Sequence, residues 1–167
     1  GVLDKVDFVR VPDLLRAVFP DLDLTLPIGR EAYEQVLCDT FPEEAAGIRK
    51  FVERVFTLHR EIKVYEETFM SGRFPSPWQL MQVPFKTSSL ARYALSSWGQ
   101  VLDRDVKDPR ARAVIAQLWG YFGVPPSQVT FLFMASALAS YLKVGPAFVR
   151  GRSQALSNAF VATIQEK

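Results

Sequence analysis

A chain of 167 residues with 49% apolar side chains can build one domain around a substantial core. Its formal net charge is +2, with acidic and basic residues interspersed, and no basic block or aromatic–basic stripe speaks for a nucleic-acid partner. One cysteine, Cys38, and one histidine, His59, exclude an internal disulfide framework and the usual Cys/His zinc site.

The chain opens on GVLDKVDF, without methionine or a signal peptide, and reads as an interior piece of a longer protein. Asp7–Val11 is a short extended run. Leu15–Phe19 and Leu22–Leu26 flank Pro20-Asp21, a pair suited to a turn. Leu22, Leu24 and Leu26 alternate with Asp23 and Thr25, which predicts a strand with one dry and one wet face. A lone hairpin is only marginally stable, so these strands need further partners.

From Gly29 the pattern turns helical. A short helix is expected over Arg30–Asp39, with Tyr33, Val36 and Leu37 inward. Thr40-Phe-Pro-Glu43 resembles a capping box with proline in the first turn. Behind it Ile48, Phe51, Val52, Val55, Phe56, Ile62 and Tyr65 recur at helical spacing, predicting a helix over 43–70, about 40 Å long. Gly72–Pro77 interrupts it. Ser76-Pro77-Trp78 starts another helix, which Pro84 should end early.

One helix is expected over Ser88–Arg104, burying Leu90, Tyr93, Ala94, Trp98 and Val101. Asp108-Pro109 starts the next, which carries Ala113, Leu118, Trp119 and Phe122 and stops at Gly123. Pro125-Pro126-Ser127 opens an apolar helix closed by Gly145-Pro146. Its continuous part is shorter than the roughly 18 apolar residues of a membrane span, so it is read as a buried or lipid-facing helix. Phe148–Arg150 returns as a strand, and Ser153–Glu166 is a last helix with Leu156, Phe160 and Ile164 on one face. The expected class is α+β and mostly helical. A hairpin region (1–28), a block of about six helices (29–146) and a returning strand with helix (147–167) form one domain.

The turn at Gly151 joins a strand to a helix, as phosphate-binding turns do. A dinucleotide fingerprint needs three glycines and a P-loop its own Gly-Lys pattern, and the chain has neither. Arg152 at the helix start could still draw an anion. His59 has no neighbouring nucleophile and reads as structural. Cys38 lies beside Asp39, whose negative charge gives no reason for a thiolate. Glu43/Glu44 fit a helix start and Glu66/Glu67 a solvated face, not an acid–base pair. Trp119, Tyr121, Phe122, Phe131, Phe133, Met134 and Tyr141 are denser in two neighbouring helices than elsewhere. Phe131 and Phe133 cannot share a helix face. One face can pack on the protein while the other lines a cavity or meets lipid.

The segment RGRSQALSNAFVATIQE, preceded by GPAFV, resembles the phytoene desaturase, carotenoid isomerase and retinol saturase family of FAD-dependent, amine-oxidase-like oxidoreductases. That family often carries a glycine pair followed by a small helix. Gly151, Ser153, Gln154, Ala155, Leu156, Ser157 and Asn158 fit the pattern, while Arg152 replaces the second glycine. FPDLDLTLP, DTFPEEAAGIRKFVERV and DPRARAVIAQLWGYFGVPPSQ resemble, more loosely and in the same order, the hairpin and helices of its substrate domain. The resemblance implies the substrate-binding portion of an oxidoreductase acting on a carotenoid, retinoid or similar polyene.

It further implies that FAD belongs to the parent protein and not to these residues, and that cofactor chemistry replaces an acid–base dyad. An apolar tunnel would be lined by Trp119, Phe122, Phe131, Met134 and Tyr141. Gly151, Arg152, Ser153 and Gln154 would face the missing flavin domain. A cytoplasmic or peripheral-membrane setting is the expectation, and exposed strand edges favour self-association. The contrasting reading is a helical module that binds a protein or lipid surface and no small molecule.

Overall fold

Turn chemistry and alternation set the first element pair. In the computed structural model, which describes residues 1–70 and 75–166 (Gln79 as backbone only), Pro20 and Asp21 join β2 (Asp13–Phe19) to β3 (Leu22–Pro27). The two pair antiparallel from Phe19↔Leu22, with a bulge between Asp13 and Leu15. Ala17 and Leu26 are buried, whereas Arg16 and Asp23 form an ion pair on the wet face. The dry face packs against α1 (Arg30–Thr40), which buries Tyr33 and Leu37 as its spacing predicts.

Among the described residues the hairpin gains no third strand; a second, separate pair forms where the two ends of the chain meet. β1 (Phe8–Arg10) pairs antiparallel with β4 (Ala147–Val149), with Val9 opposite Phe148. Asp7 and Arg150 form an ion pair beside them. The chain thus enters and leaves the helical block through one two-stranded ribbon, separate from the β2–β3 hairpin. α8 (Arg152–Gln165) lies against β4, and a short 3₁₀ turn at Val2–Lys5 lies against α8, with Lys5 paired to Glu166.

Between these ends runs the helical block. The long helix α2 (Ala45–Phe69) buries Ile48, Phe51, Val52, Val55, Phe56, Leu58 and His59. The seam runs out at its C-terminal end, where Ile62 is half-buried and Tyr65 exposed. The capping box expected at Thr40 does not form. Thr40 Oγ1 donates back to the Val36 carbonyl at 2.7 Å, closing α1, and a 3₁₀ turn at Pro42–Glu44 precedes α2. Glu44 is used across the fold instead: its carboxylate accepts from the backbone N–H groups of Lys107 (2.9 Å) and Asp108 (2.8 Å).

Pro84 does not end its helix. α3 runs from Pro77 to Lys86 with the proline inside. The ring removes one bond, to the Leu80 carbonyl, but both residues are exposed and water can serve that carbonyl. The break expected at Gly72 lies outside the described residues, although Pro75 and Ser76 precede α3 without regular structure.

The helix expected over 88–104 is two, so the described residues of the block form seven α-helices where about six were expected. α4 (Ser88–Tyr93) gives way to an irregular link, and α5 (Trp98–Asp105) starts afresh. Ser97 caps it: Ser97 Oγ accepts from Gln100 N–H at 3.2 Å, and Gln100 Oε1 accepts from Ser97 N–H at 2.9 Å. The opened backbone is used by the start of α7, since Phe131 N–H donates to the Ser96 carbonyl at 2.9 Å. Ala94, expected inside, lies on the link and is exposed.

Asp108 caps α6 (Pro109–Ile115), accepting from the N–H groups of Arg110 and Ala111. That helix stops earlier than expected. A 3₁₀ turn over Gln117–Tyr121 carries Leu118 inward and leaves Trp119 and Tyr121 at the surface. α7 (Phe131–Val144) starts at a Thr130 cap, past the Pro125-Pro126 turn.

The core sits where α2, α5 and α7 meet. Phe51 packs edge-on to Trp98 (centroids 4.8 Å apart), and Phe131 stacks on Trp98 at 5.6 Å. Gly47 lets α2 approach the end of α5, because a Cβ there would lie 2.0 Å from the Asp105 carbonyl oxygen. The fully buried Asp105 carboxylate is held by Arg54 Nε at 2.6 Å and Lys50 Nζ at 3.0 Å. Arg54 also donates to Tyr93 Oη.

Candidate apolar binding face

The sequence of α7, FLFMASALASYLKV, is apolar on every side and carries one charge, Lys143. A helix of that kind must cover two faces. Its inner stripe, Phe131, Met134, Ala135, Leu138, Ala139 and Leu142, is buried in the core. Its outer stripe, Phe133, Ala137, Ser140 and Val144, recurs at i, i+4, i+7 and i+11, with Phe133 and Val144 well exposed.

Aromatic pairs flank that outer stripe. Phe122 meets Phe133 edge-on at 4.9 Å, and Tyr121 stacks on Tyr141 at 6.3 Å. Ala137, Ser140, Tyr141, Val144 and Gly145 line an open apolar groove of about 320 Å³. It ends at Gly145, where the chain turns through Pro146 into β4. Gly145 is needed there because its φ is +79°, which L side chains rarely adopt.

The five residues expected to line a tunnel therefore divide. Phe131 and Met134 are fully buried, with Phe131 packed on Phe51, Tyr93 and Trp98. They line none of the described cavities, and the reason is close packing around the aromatic cluster. Trp119, Phe122 and Tyr141 lie at or near the surface, and Tyr141 alone of the five borders the groove. The described apolar site is an open face on α7, not a channel through the block.

The Gly151 turn is a built feature of the backbone. Gly151 has φ +84°, and Arg152, the first residue of α8, has φ +66°. A Cβ at Gly151 would meet Ala155 Cβ at 3.1 Å. Two successive left-handed residues are what a glycine pair accepts without strain. Arg152, Ser153 and Gln154 are exposed. Ser153 accepts at its carbonyl from Ser157 Oγ (3.4 Å), and Gln154 Nε2 donates to Asn158 Oδ1 (2.9 Å).

The two side chains of catalytic type, Cys38 and His59, are both buried. The buried Cys38 thiol lies 3.7 Å from the Ala45 carbonyl, and burial pushes its pKa up. His59 is held below its ordinary pKa by burial first, then by the charges of Lys143 and Lys63, with Glu66 opposing. Among the described residues no group of His, Cys, Asp or Glu could hold a metal ion, and no helix is long and apolar enough to cross a membrane.

Sequence reasoning missed two features. The Arg54–Asp105 pair gives no periodic or motif signal, because its partners are 51 residues apart. The exposed apolar surface of α3 was readable, since Trp78, Met81 and Phe85 recur at i, i+3 and i+7 with no buried partner in view. No protein-family model, curated protein or solved structure matches this chain.

Proposed function

We propose that this chain is the substrate-binding part of an FAD-dependent oxidoreductase acting on a carotenoid, retinoid or similar polyene, with the flavin held by polypeptide outside these residues. The observation that carries the reading is the Gly151–Arg152 turn. The resemblance expects a glycine pair there, and both residues adopt the left-handed conformation that such a pair would supply.

The surroundings of the turn support the same reading. Phe148 of the ribbon and Phe160, Val161 and Ile164 of α8 are exposed, which leaves apolar area there for a second domain to cover. The groove on α7 ends at the residue pair that leads into this ribbon. A polyene laid along the outer α7 stripe would be closed over by that second domain. In this arrangement the chain's own residues orient an apolar rod and exclude water, and the flavin supplies the redox chemistry when bound.

Titration of a coloured polyene into the purified chain tests the proposal. Saturable binding is expected, weakened by about tenfold in Tyr141→Ala through loss of buried ring surface. Binding that is absent, or indifferent to Tyr141→Ala and Val144→Asp alike, refutes the α7 site. Stoichiometric FAD on the purified chain would overturn the assignment of the flavin to other polypeptide.

A further inference from the structure

His59 is a titratable side chain that the fold buries without bonding it. It is 4% exposed on the apolar seam of α2, and among the described residues its Nδ1 has no hydrogen-bond partner. A neutral imidazole tolerates that position. A second ring proton would make a buried cation whose N–H at Nδ1 has no acceptor.

The charges around it offer little compensation. Helix α2 packs against α1, α3, α4, α5 and α7. Lys143 comes from α7, and Lys63 and Glu66 from α2 itself; the two lysines repel a further cation and the glutamate attracts it. All three are exposed, so water screens them and burial outweighs them. Arg30 of α1 lies over the Phe56 ring, one turn back, and pairs with Glu53. Glu61 accepts from the N–H groups of Ser89 and Leu90 at the start of α4. Lys86 of α3 shares a hollow with the exposed Glu67, and Asp105 of α5 is held by Arg54 and Lys50. None of the carboxylates named is both buried and free to meet a charged imidazole.

The place of the ring decides what acid would loosen. Lys143 Nζ comes within 6.0 Å of the Phe56 ring centroid, so the last turn of α7 lies over this part of α2. Gly29 N–H ties that turn to the start of α1, donating to the Leu142 carbonyl at 3.0 Å. Gly145 N–H closes it, donating to the Tyr141 carbonyl at 2.8 Å. The same turn carries Tyr141, Val144 and Gly145 of the groove.

We propose that His59 is an acid-sensitive latch: proton uptake favours release of the last turn of α7 from α1 and α2, and so reshapes the groove. The latch concerns how the groove is seated and holds whatever the groove binds. Its direction is fixed. The opened form titrates near pH 6.5 and the closed form lower, so closure is complete above that pH and weakens as pH falls below it.

Hydrogen exchange at pH 7 and pH 5, corrected for intrinsic rates, tests the latch. The Gly29 and Gly145 amides should lose protection severalfold, at most about 25-fold, the limit for a ring that titrates only when opened. The Phe131 amide, bonded to the Ser96 carbonyl at the far end of α7, should lose less. In His59→Leu the acid-dependent loss should vanish. Should that variant not fold, the native chain still decides, because its single histidine gives one unambiguous imidazole NMR titration, expected below the ordinary range. A titration at or above about pH 6.5 overturns the latch. So do unchanged protection at Gly29 and Gly145, equal losses at Gly29 and Phe131, or a loss that persists in His59→Leu.

Discussion

Two helices of 14 residues each, α7 and α8, are held to this fold in opposite ways. The first buries six residues in the aromatic core and accepts a second apolar layer on its outer side. The second buries only Ala159 and leaves Phe160, Val161 and Ile164 exposed. Both carry apolar residues at helical spacing, so periodicity alone cannot say which will be covered. What separates them is the number of neighbours the chain itself provides. α7 lies among α1, α2, α4 and α5, while α8, among the described residues, meets chiefly β4 and the N-terminal turn.

The sharpest way to break that comparison is to make one substitution in both helices. Phe131→Ala removes a ring wedged between Phe51, Tyr93 and Trp98. It should cost about 3–5 kcal/mol in urea unfolding, from lost transfer energy plus the cavity left behind. Phe160→Ala removes a half-exposed ring and should change stability by less than about 0.5 kcal/mol. Equal losses would mean that α8 is packed on the core far more closely than its exposure implies.

Backbone approach gives a second contrast of intermediate size. At Gly47 a methyl group would overlap the Asp105 carbonyl and force α2 away from α5, disturbing the buried Arg54–Asp105 pair as well. Gly47→Ala should destabilise by about 3 kcal/mol, the upper part of the range for overpacking, read as a lowered urea midpoint. The contact at Gly151 is looser, against a side-chain methyl on a helix with few neighbours. A harmless Gly47→Ala would show that the two helices can separate without loss and that their close approach contributes little.

Local signals in the sequence were sufficient where the chain satisfies its own backbone. The Pro20-Asp21 hairpin, the Asp108-Pro109 start and the Gly145 stop all stand as read, because each rests on residues adjacent in sequence. The split at Ser97 was also legible, as S-W-G-Q is a capping box, but the apolar periodicity runs straight across it. Thr40 misled for the converse reason: its hydroxyl had a competing acceptor one turn back. The site was less legible. An aromatic-rich pair of helices can be counted in sequence, yet only packing decides that Phe131 faces Trp98 while Phe133 faces solvent.

A small effect of the opposite sign is expected at Arg152, and it bears on the loosely held half of the molecule. A side chain in the left-handed region costs about 1–2 kcal/mol relative to ordinary helical backbone, whereas glycine enters it freely. Arg152 sits there at φ +66°, directly after Gly151 at φ +84°. Glycine would relieve the strain but add freedom to the unfolded chain, which offsets part of the gain. The net expectation for Arg152→Gly is a stabilisation of about 0.5 kcal/mol, a strain relief of about 1–2 kcal/mol less an entropic cost of about 0.5–1 kcal/mol. Because α8 has few contacts, the gain should appear first as slower hydrogen exchange of its amides rather than as a shift in global unfolding. Faster exchange in α8 would mean that the arginine side chain stabilises the turn through contacts worth more than the strain it imposes. The glycine pair would then be no better fitted to this turn than the sequence that occupies it.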